Sequence, residues 1–232
     1  MFEITQHLSN WKVSLCEKVA LASVVARNPT AFKWKAFYRS IMLREAVFWR
    51  THDLLTQAHA LFEAGHILGS RILIRSAIES IATLIYLNQL TEKVLAGTLN
   101  FHKFSNKTSR LLLGSKDKST KHNAVHIIDV LEQCEKKYPG ITEVYSTLSE
   151  SAHPNFEGVC FGYSRVDYEK NETNFSNFWA SMWADRHHSL MKLCVMTFES
   201  QYTDEWTSQI DKLEAWVTAN DAMLEATKNE GV

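Results

Sequence analysis

Glycine and proline are scarce in this chain of 232 residues, with 8 and 3 copies. A sheet protein of this length needs many tight turns, and turns draw on those two residues, so the shortage argues against an all-β fold. Net charge is nearly absent as well: 25 Lys+Arg face 26 Asp+Glu, a formal balance of -1. Without a strong field of one sign there is no bulk attraction to nucleic acid or to an anionic membrane, so any such contact must come from a local patch. No stretch of 18 residues is free of charged or strongly polar groups, which excludes a simple membrane-spanning helix. The opening "MFEITQHLSNWK" has no apolar h-region, and no secretory signal is expected there.

The four cysteines, Cys16, Cys134, Cys160 and Cys194, are far apart and form no Cys-x-x-Cys pair. That excludes a zinc ribbon and a disulfide scaffold, and the expectation is four reduced thiols in a cytoplasmic protein. The His-Glu-x-x-His motif, the phosphate-cradling Walker loop and the dinucleotide glycine fingerprint are all missing. No cofactor and no metal are expected: His122 and His126, at i and i+4, read as surface histidines, and the adjacent His187 and His188 point to different sides of their helix.

Apolar residues are plentiful at 45%, and aromatics at 11% are generous. Helical periodicity runs almost from end to end. The expected helices cover about 3–26, 31–63, 67–87, 122–137, 141–152 and 174–202, with Thr203 capping a last one. Pro29 breaks the chain after the first, with Thr30 as the cap of the second, and Gly65 fits a C-terminal cap. Residues 156–169 read as extended or irregular, with alternating Val159, Phe161 and Tyr163 but no partner strand. The expected architecture is one all-α domain of about seven to eight helices spanning 1–232, with a core at about 31–160 and a C-terminal helical pair at about 174–228.

Helix 67–87 should sit at the centre, because Leu73, Ile74, Ala77, Ile78, Ile81, Leu84 and Ile85 form one broad apolar face. Gly69, Ser76, Ser80 and Thr83 form a small-residue strip where another helix can approach closely, a candidate homodimer surface. Trp34, Phe37, Tyr38, Phe48 and Trp49 read as core or dimer interface.

Three features carry possible chemistry. Arg71, Arg75 and Glu79 follow one another at four-residue steps on the central helix. They form either an ion-paired stripe on a solvated face, or a guanidinium fork held by Glu79 for a phosphate. The stretch 101–122 holds Lys103, Lys107, Arg110, Lys116, Lys118 and Lys121 against one acid, Asp117, and reads as a basic loop; Lys116, Lys118 and Lys121 are candidate phosphate contacts. In "YSTLSESAHPN", His153 stands where Pro154 stops a helix and Asn155 turns the chain. It is either a helix-end residue or an exposed general base, with Ser149 and Asn155 as secondary polar contacts.

The pairing of "LFEAGHILGSRILIRSAIESIATLIYL" with the later "LSESAHPN" resembles the HEPN superfamily of helical proteins, over roughly residues 45–160. That resemblance implies a four-to-five-helix core, homodimerisation, and association with bacterial toxin–antitoxin or anti-phage systems. In active members an arginine and a histidine four to six residues apart cleave RNA without metal. Here Leu148, Thr147 and Ser146 occupy the positions where that arginine would stand. The expected function is therefore a non-catalytic helical module that binds a nucleotide, RNA or a partner protein. The alternative is a metal-independent ribonuclease in which His153 works with Arg71 or Arg75.

Overall fold

The computed structural model describes residues 2–228. Helix α1 (Ile4–Ser14) opens the fold, and α2 (Leu21–Arg27) follows after an irregular stretch. The single helix expected over 3–26 is therefore broken. Trp49 donates its indole N–H to the Cys16 carbonyl at 2.8 Å, a group that an unbroken helix would have bonded to Ala20. Proline at the first helical position then starts the short α3 (Pro29–Phe32), capped by Asn28, which accepts from the Ala31 N–H at 3.1 Å, and not by Thr30.

Two 29-residue helices form the centre, α4 (Lys35–Glu63) and α5 (Ile67–Leu95). Gly65, at φ +80°, ends the first: the His66 N–H reaches back to the Leu61 carbonyl at 2.8 Å in a left-handed cap that glycine adopts without steric cost. Gly97 does the same for α5, which runs about two turns beyond the expected end. Ile74, Ala77, Ile78, Ile81, Leu84 and Ile85 are all buried, so the broad apolar face lies where the spacing places it. Two residues of the small-residue strip are engaged within the chain, while Ser76 and Thr83 stay half-buried. Gly69 abuts Leu61 of α4, and Ser80 is buried and accepts from the Arg50 guanidinium at 3.1 Å.

The basic stretch expected as a loop is half helix. Asn100 accepts from the N–H groups of His102 and Lys103 and starts α6 (Phe101–Leu113), which buries Phe101, Phe104 and Thr108 and leaves its lysines outward. Only 114–126 is irregular. Then α7 (Ile127–Glu135) and α8 (Ile141–Ala152) follow, the second over the expected residues. Phe156–Phe161 forms a π-turn, and the segment read as unpartnered finds its partner. Strand β1 (Ser164–Asp167) pairs antiparallel with β2 (Glu172–Phe175), residues that the expected long helix had partly claimed.

The C-terminal third is α9 (Trp179–Trp183), α10 (His187–Glu199), α11 (Trp206–Ala219) and α12 (Asp221–Ala226). Between α10 and α11 the chain stays helical through a π-segment at Ser200–Glu205, so Thr203 caps nothing. Buried Gln201 sits in that segment. Its backbone carbonyl and its side-chain oxygen both accept from Asn88 on α5 at 3.0 Å, and its amide donates to the Tyr138 hydroxyl at 2.7 Å. Apolar side chains from every helix except α9 join one core around α5, and the architecture is all-α with one short hairpin. No helix among the described residues is long and apolar enough to cross a membrane. Trp34, Phe37 and Phe48 are core, while Trp49 is 47% exposed. Cys16, Cys134, Cys160 and Cys194 are all unpaired.

A buried histidine chain ties three helices together. His187 of α10 meets His59 of α4 at 3.2 Å and the Ser70 hydroxyl of α5 at 3.2 Å, and stacks on Phe62 at 3.8 Å. Burial, with His59 and His188 beside it, pushes its pKa down to about 3.

Two outcomes follow from this packing. Ile81→Asp should abolish the cooperative melt followed by circular dichroism, a loss of more than about 4 kcal/mol, because the carboxylate would be buried without a partner. The depressed His187 pKa means that the unfolded chain binds the proton first. Stability from this group is complete above the ordinary histidine value and is lost as pH falls from about 6.5 towards 3, by at most about 1.4 kcal/mol per pH unit. Melting temperature against pH should show that acid limb, and His187→Gln should flatten it.

Candidate functional site

The α5–α8 seam gathers most of the polar candidates. The two helices run antiparallel, so that Arg71 meets the C-terminal turn of α8 and Glu79 meets its middle. Arg71 is 3% exposed. Its Nε donates to the Ser151 hydroxyl at 2.8 Å and its Nη2 to the Thr147 carbonyl at 3.3 Å, and its guanidinium lies 4.0 Å from the Trp183 ring centroid. Ser151 in turn donates to the Glu157 carboxylate at 2.6 Å, so a counter-charge stands one hydroxyl away. Burial lowers the Arg71 pKa to about 10; Glu157 opposes that shift and nearby Arg186 adds to it. The guanidinium nevertheless stays charged at neutral pH.

One turn on, Arg75 donates to the Ser149 hydroxyl at 2.9 Å, pairs with Glu79 at 3.2 Å, and donates to the Tyr145 hydroxyl. Tyr145 donates to Glu79 at 2.8 Å, which closes a ring of three side chains, Arg75, Glu79 and Tyr145. Burial and the bond to Glu79 raise the tyrosine pKa, so its proton stays on oxygen. Arg75 and Glu79 of the stripe are therefore an ion pair, Arg71 forms none among the described residues, and the stripe lies on a half-buried seam between two helices and not on a solvated face.

His153 stands apart. It ends α8 in extended backbone, φ -94°, ψ 148°, and its side chain is exposed. No side-chain hydrogen bond among the described residues joins it to Arg71 or Arg75. Asn155 is occupied as a cap: its Oδ1 accepts from the Gly158 N–H at 3.0 Å and its amide donates to Glu150. Gly158 is required there because a Cβ would collide with the His153 carbonyl at 2.0 Å.

Two cavities flank the seam. Arg75, Glu79 and Lys116 line an open cleft of about 600 Å³ together with Arg50, Ser80, Thr83 and His126. Arg50 donates to Ser80 and forms no ion pair among the described residues. Lys118 and Lys121 are exposed in the neighbouring loop and do not line it. On the other side, Arg71 lines a second cavity of about 530 Å³ between α5, α8 and α10. His153, Ser149 and Asn155 line neither. Sequence reasoning missed Arg50, Trp183 and Arg186, since all three reach these cavities from segments more than 20 residues away in the chain and no spacing rule connects them. No three His, Cys, Asp or Glu residues among the described residues are placed to hold a metal ion.

No family model matches the chain, and neither a curated protein nor a solved structure matches it.

The seam and the helix end should separate cleanly in urea denaturation. Tyr145→Phe, which strips Glu79 and Arg75 of a partner, should cost about 1–2 kcal/mol, whereas His153→Ala, at an exposed site, should change stability by less than about 0.5 kcal/mol.

Proposed function

We propose that the chain is a non-catalytic helical module that binds a nucleotide or a short stretch of RNA through phosphate, in the cleft between α4, α5 and the loop at 114–126. The observation that carries this reading is the convergence of Arg50, Arg75 and Lys116 on one open cleft with a single acid, Glu79. Three cations from three segments around one carboxylate leave a local positive excess in a molecule whose formal net charge is only -1. That is the patch an anionic ligand needs when the whole-molecule field provides none. Glu79 and Tyr145 hold Arg75 in place, so its guanidinium is oriented before a ligand arrives. Lys118 and Lys121, exposed on the adjoining loop, extend the cationic surface for a longer strand. The likeness of residues 45–160 to HEPN proteins supplies the biological setting of the proposal, a bacterial toxin–antitoxin or phage-defence system.

Binding is favoured over cutting because metal-independent RNA cleavage needs a base and a phosphate-neutralising cation in one place. Among the described residues no arginine forms a hydrogen bond with the His153 side chain, and the two candidate arginines are engaged in holding α8 against α5. A second reading rests on the exposure of His153: in a homodimer, the partner subunit would bring an arginine to it, and the chain would be a ribonuclease.

Fluorescence anisotropy with labelled AMP and with a labelled single-stranded RNA decides between them. The expected result is saturable binding, weakened at least tenfold by Arg50→Glu and by Lys116→Glu, with the RNA left intact in EDTA. RNA cleavage in EDTA that disappears in His153→Ala would replace this reading with the ribonuclease. Binding unmoved by either charge reversal would remove the cleft.

A further inference from the structure

The second cavity has a different chemistry from the first. It is a trough running along α5 from Arg71 to Ile81, ten residues and therefore about 15 Å of helix rise. Its floor and walls are aliphatic: Ile78 and Ile81 from α5, Val144 and Leu148 from α8, Leu190 and Leu193 from α10. At one end the indole of Trp183 carries two guanidiniums, Arg71 at 4.0 Å and Arg186 at 5.4 Å from its ring centroid. Neither arginine forms an ion pair among the described residues, and the Trp183 indole N–H is buried without an acceptor. The charge nearest to Arg71, Glu157, is reached only through Ser151. At the opposite end, Lys137 is neutralised by Glu205 at 2.7 Å, and Glu135 already accepts the free N–H groups of Gly140 and Thr142.

The unmet demand for an anion is thus confined to one end; Glu143, the one carboxylate residue in the lining, stands one turn of α8 beyond Thr147 and forms no ion pair among the described residues. Two like charges lie against one indole, beside a donor with nothing to donate to, at the head of an aliphatic channel. Like charges this close repel each other, and an anion between them relieves that repulsion while accepting the indole N–H. The interior offers few polar groups for the edge of a base: the Thr147 hydroxyl is spent on the Glu143 carbonyl at 3.0 Å and the Tyr138 hydroxyl already accepts from Gln201.

We propose that this trough is a binding site for a small amphipathic anion, a carboxylate or phosphate monoester on an unbranched aliphatic tail, with the head group on Arg71, Arg186 and the Trp183 N–H and the tail along Ile78 and Ile81. The volume, about 530 Å³, falls within the range of small-molecule pockets. The site is separate from the Arg50–Arg75–Lys116 cleft, and the two proposals stand or fall independently.

Isothermal titration calorimetry with octyl phosphate and octanoate, both below their micellar concentrations, tests it. The expected result is one-to-one saturable binding of both, no saturable binding of 1-octanol, and no competition from AMP. Arg186→Ala, an exposed position whose removal leaves the core intact, should weaken both anions at least tenfold. Val144→Trp should fill the trough and abolish binding; Leu193→Trp, on the more exposed wall, is the second blocking variant should the first melt abnormally. Octanol binding as tightly as octyl phosphate, affinity unchanged within twofold in Arg186→Ala, displacement by AMP, or the lack of any saturable heat would each overturn the proposal.

Discussion

Burying a charged guanidinium is the constraint on which the middle of this molecule depends. Helix α5 is enclosed by α4, α7, α8, α10 and α11, and Arg71 goes into the interior with its apolar neighbours. A charge taken out of water is tolerated only when its N–H groups find acceptors and its face finds a polarisable surface. Ser151, the Thr147 carbonyl and the Trp183 ring meet those needs, and they come from two separate elements. The end of α8 and the entry to α10 are therefore placed by what Arg71 requires.

Arg75 repeats the logic one turn later with a different solution. Its partners are a carboxylate on its own helix and a tyrosine and serine on α8, so the ring is closed within the seam. Between them the two arginines hold α8 in one register along α5, because a shift by a single residue would remove every one of these acceptors. The two cavities lie on either side of that seam, one headed by Arg71 and the other walled by Arg75. Residues that sequence pattern marks as chemistry can serve first as structure, and still shape the spaces where ligands fit.

Much of this was legible in the residues. The apolar face of α5, the span of α8, the break at Pro29 and the cap at Gly65 all follow from local rules, since each depends on side chains within a turn or two of one another. Helix α6 was misread because its lysines dominate the composition of 101–122, although Asn100, Phe101, Phe104 and Thr108 carry the cap and the i, i+3, i+7 face. The hairpin was missed for another reason. Strand β2, Glu172–Phe175, is exposed on every residue, so it shows no alternation, and only pairing with β1 makes it a strand.

The sequence by itself determined that the protein is helical, that residues 67–87 lie at its centre, and that Arg71, Arg75, Glu79 and His153 stand out as candidates, because helical periodicity, capping and breaking act over a few residues. Tertiary structure alone decided which of those candidates share a space. Arg75 joins Arg50 and Lys116 across α4, α5 and a loop, Arg71 joins Arg186 across α5 and the start of α10, and His153 joins neither. The physical reason is that a binding site is a convergence of side chains in three dimensions. The angle and register at which helices pack set that convergence, and they depend on how buried polar groups far apart in the chain satisfy one another.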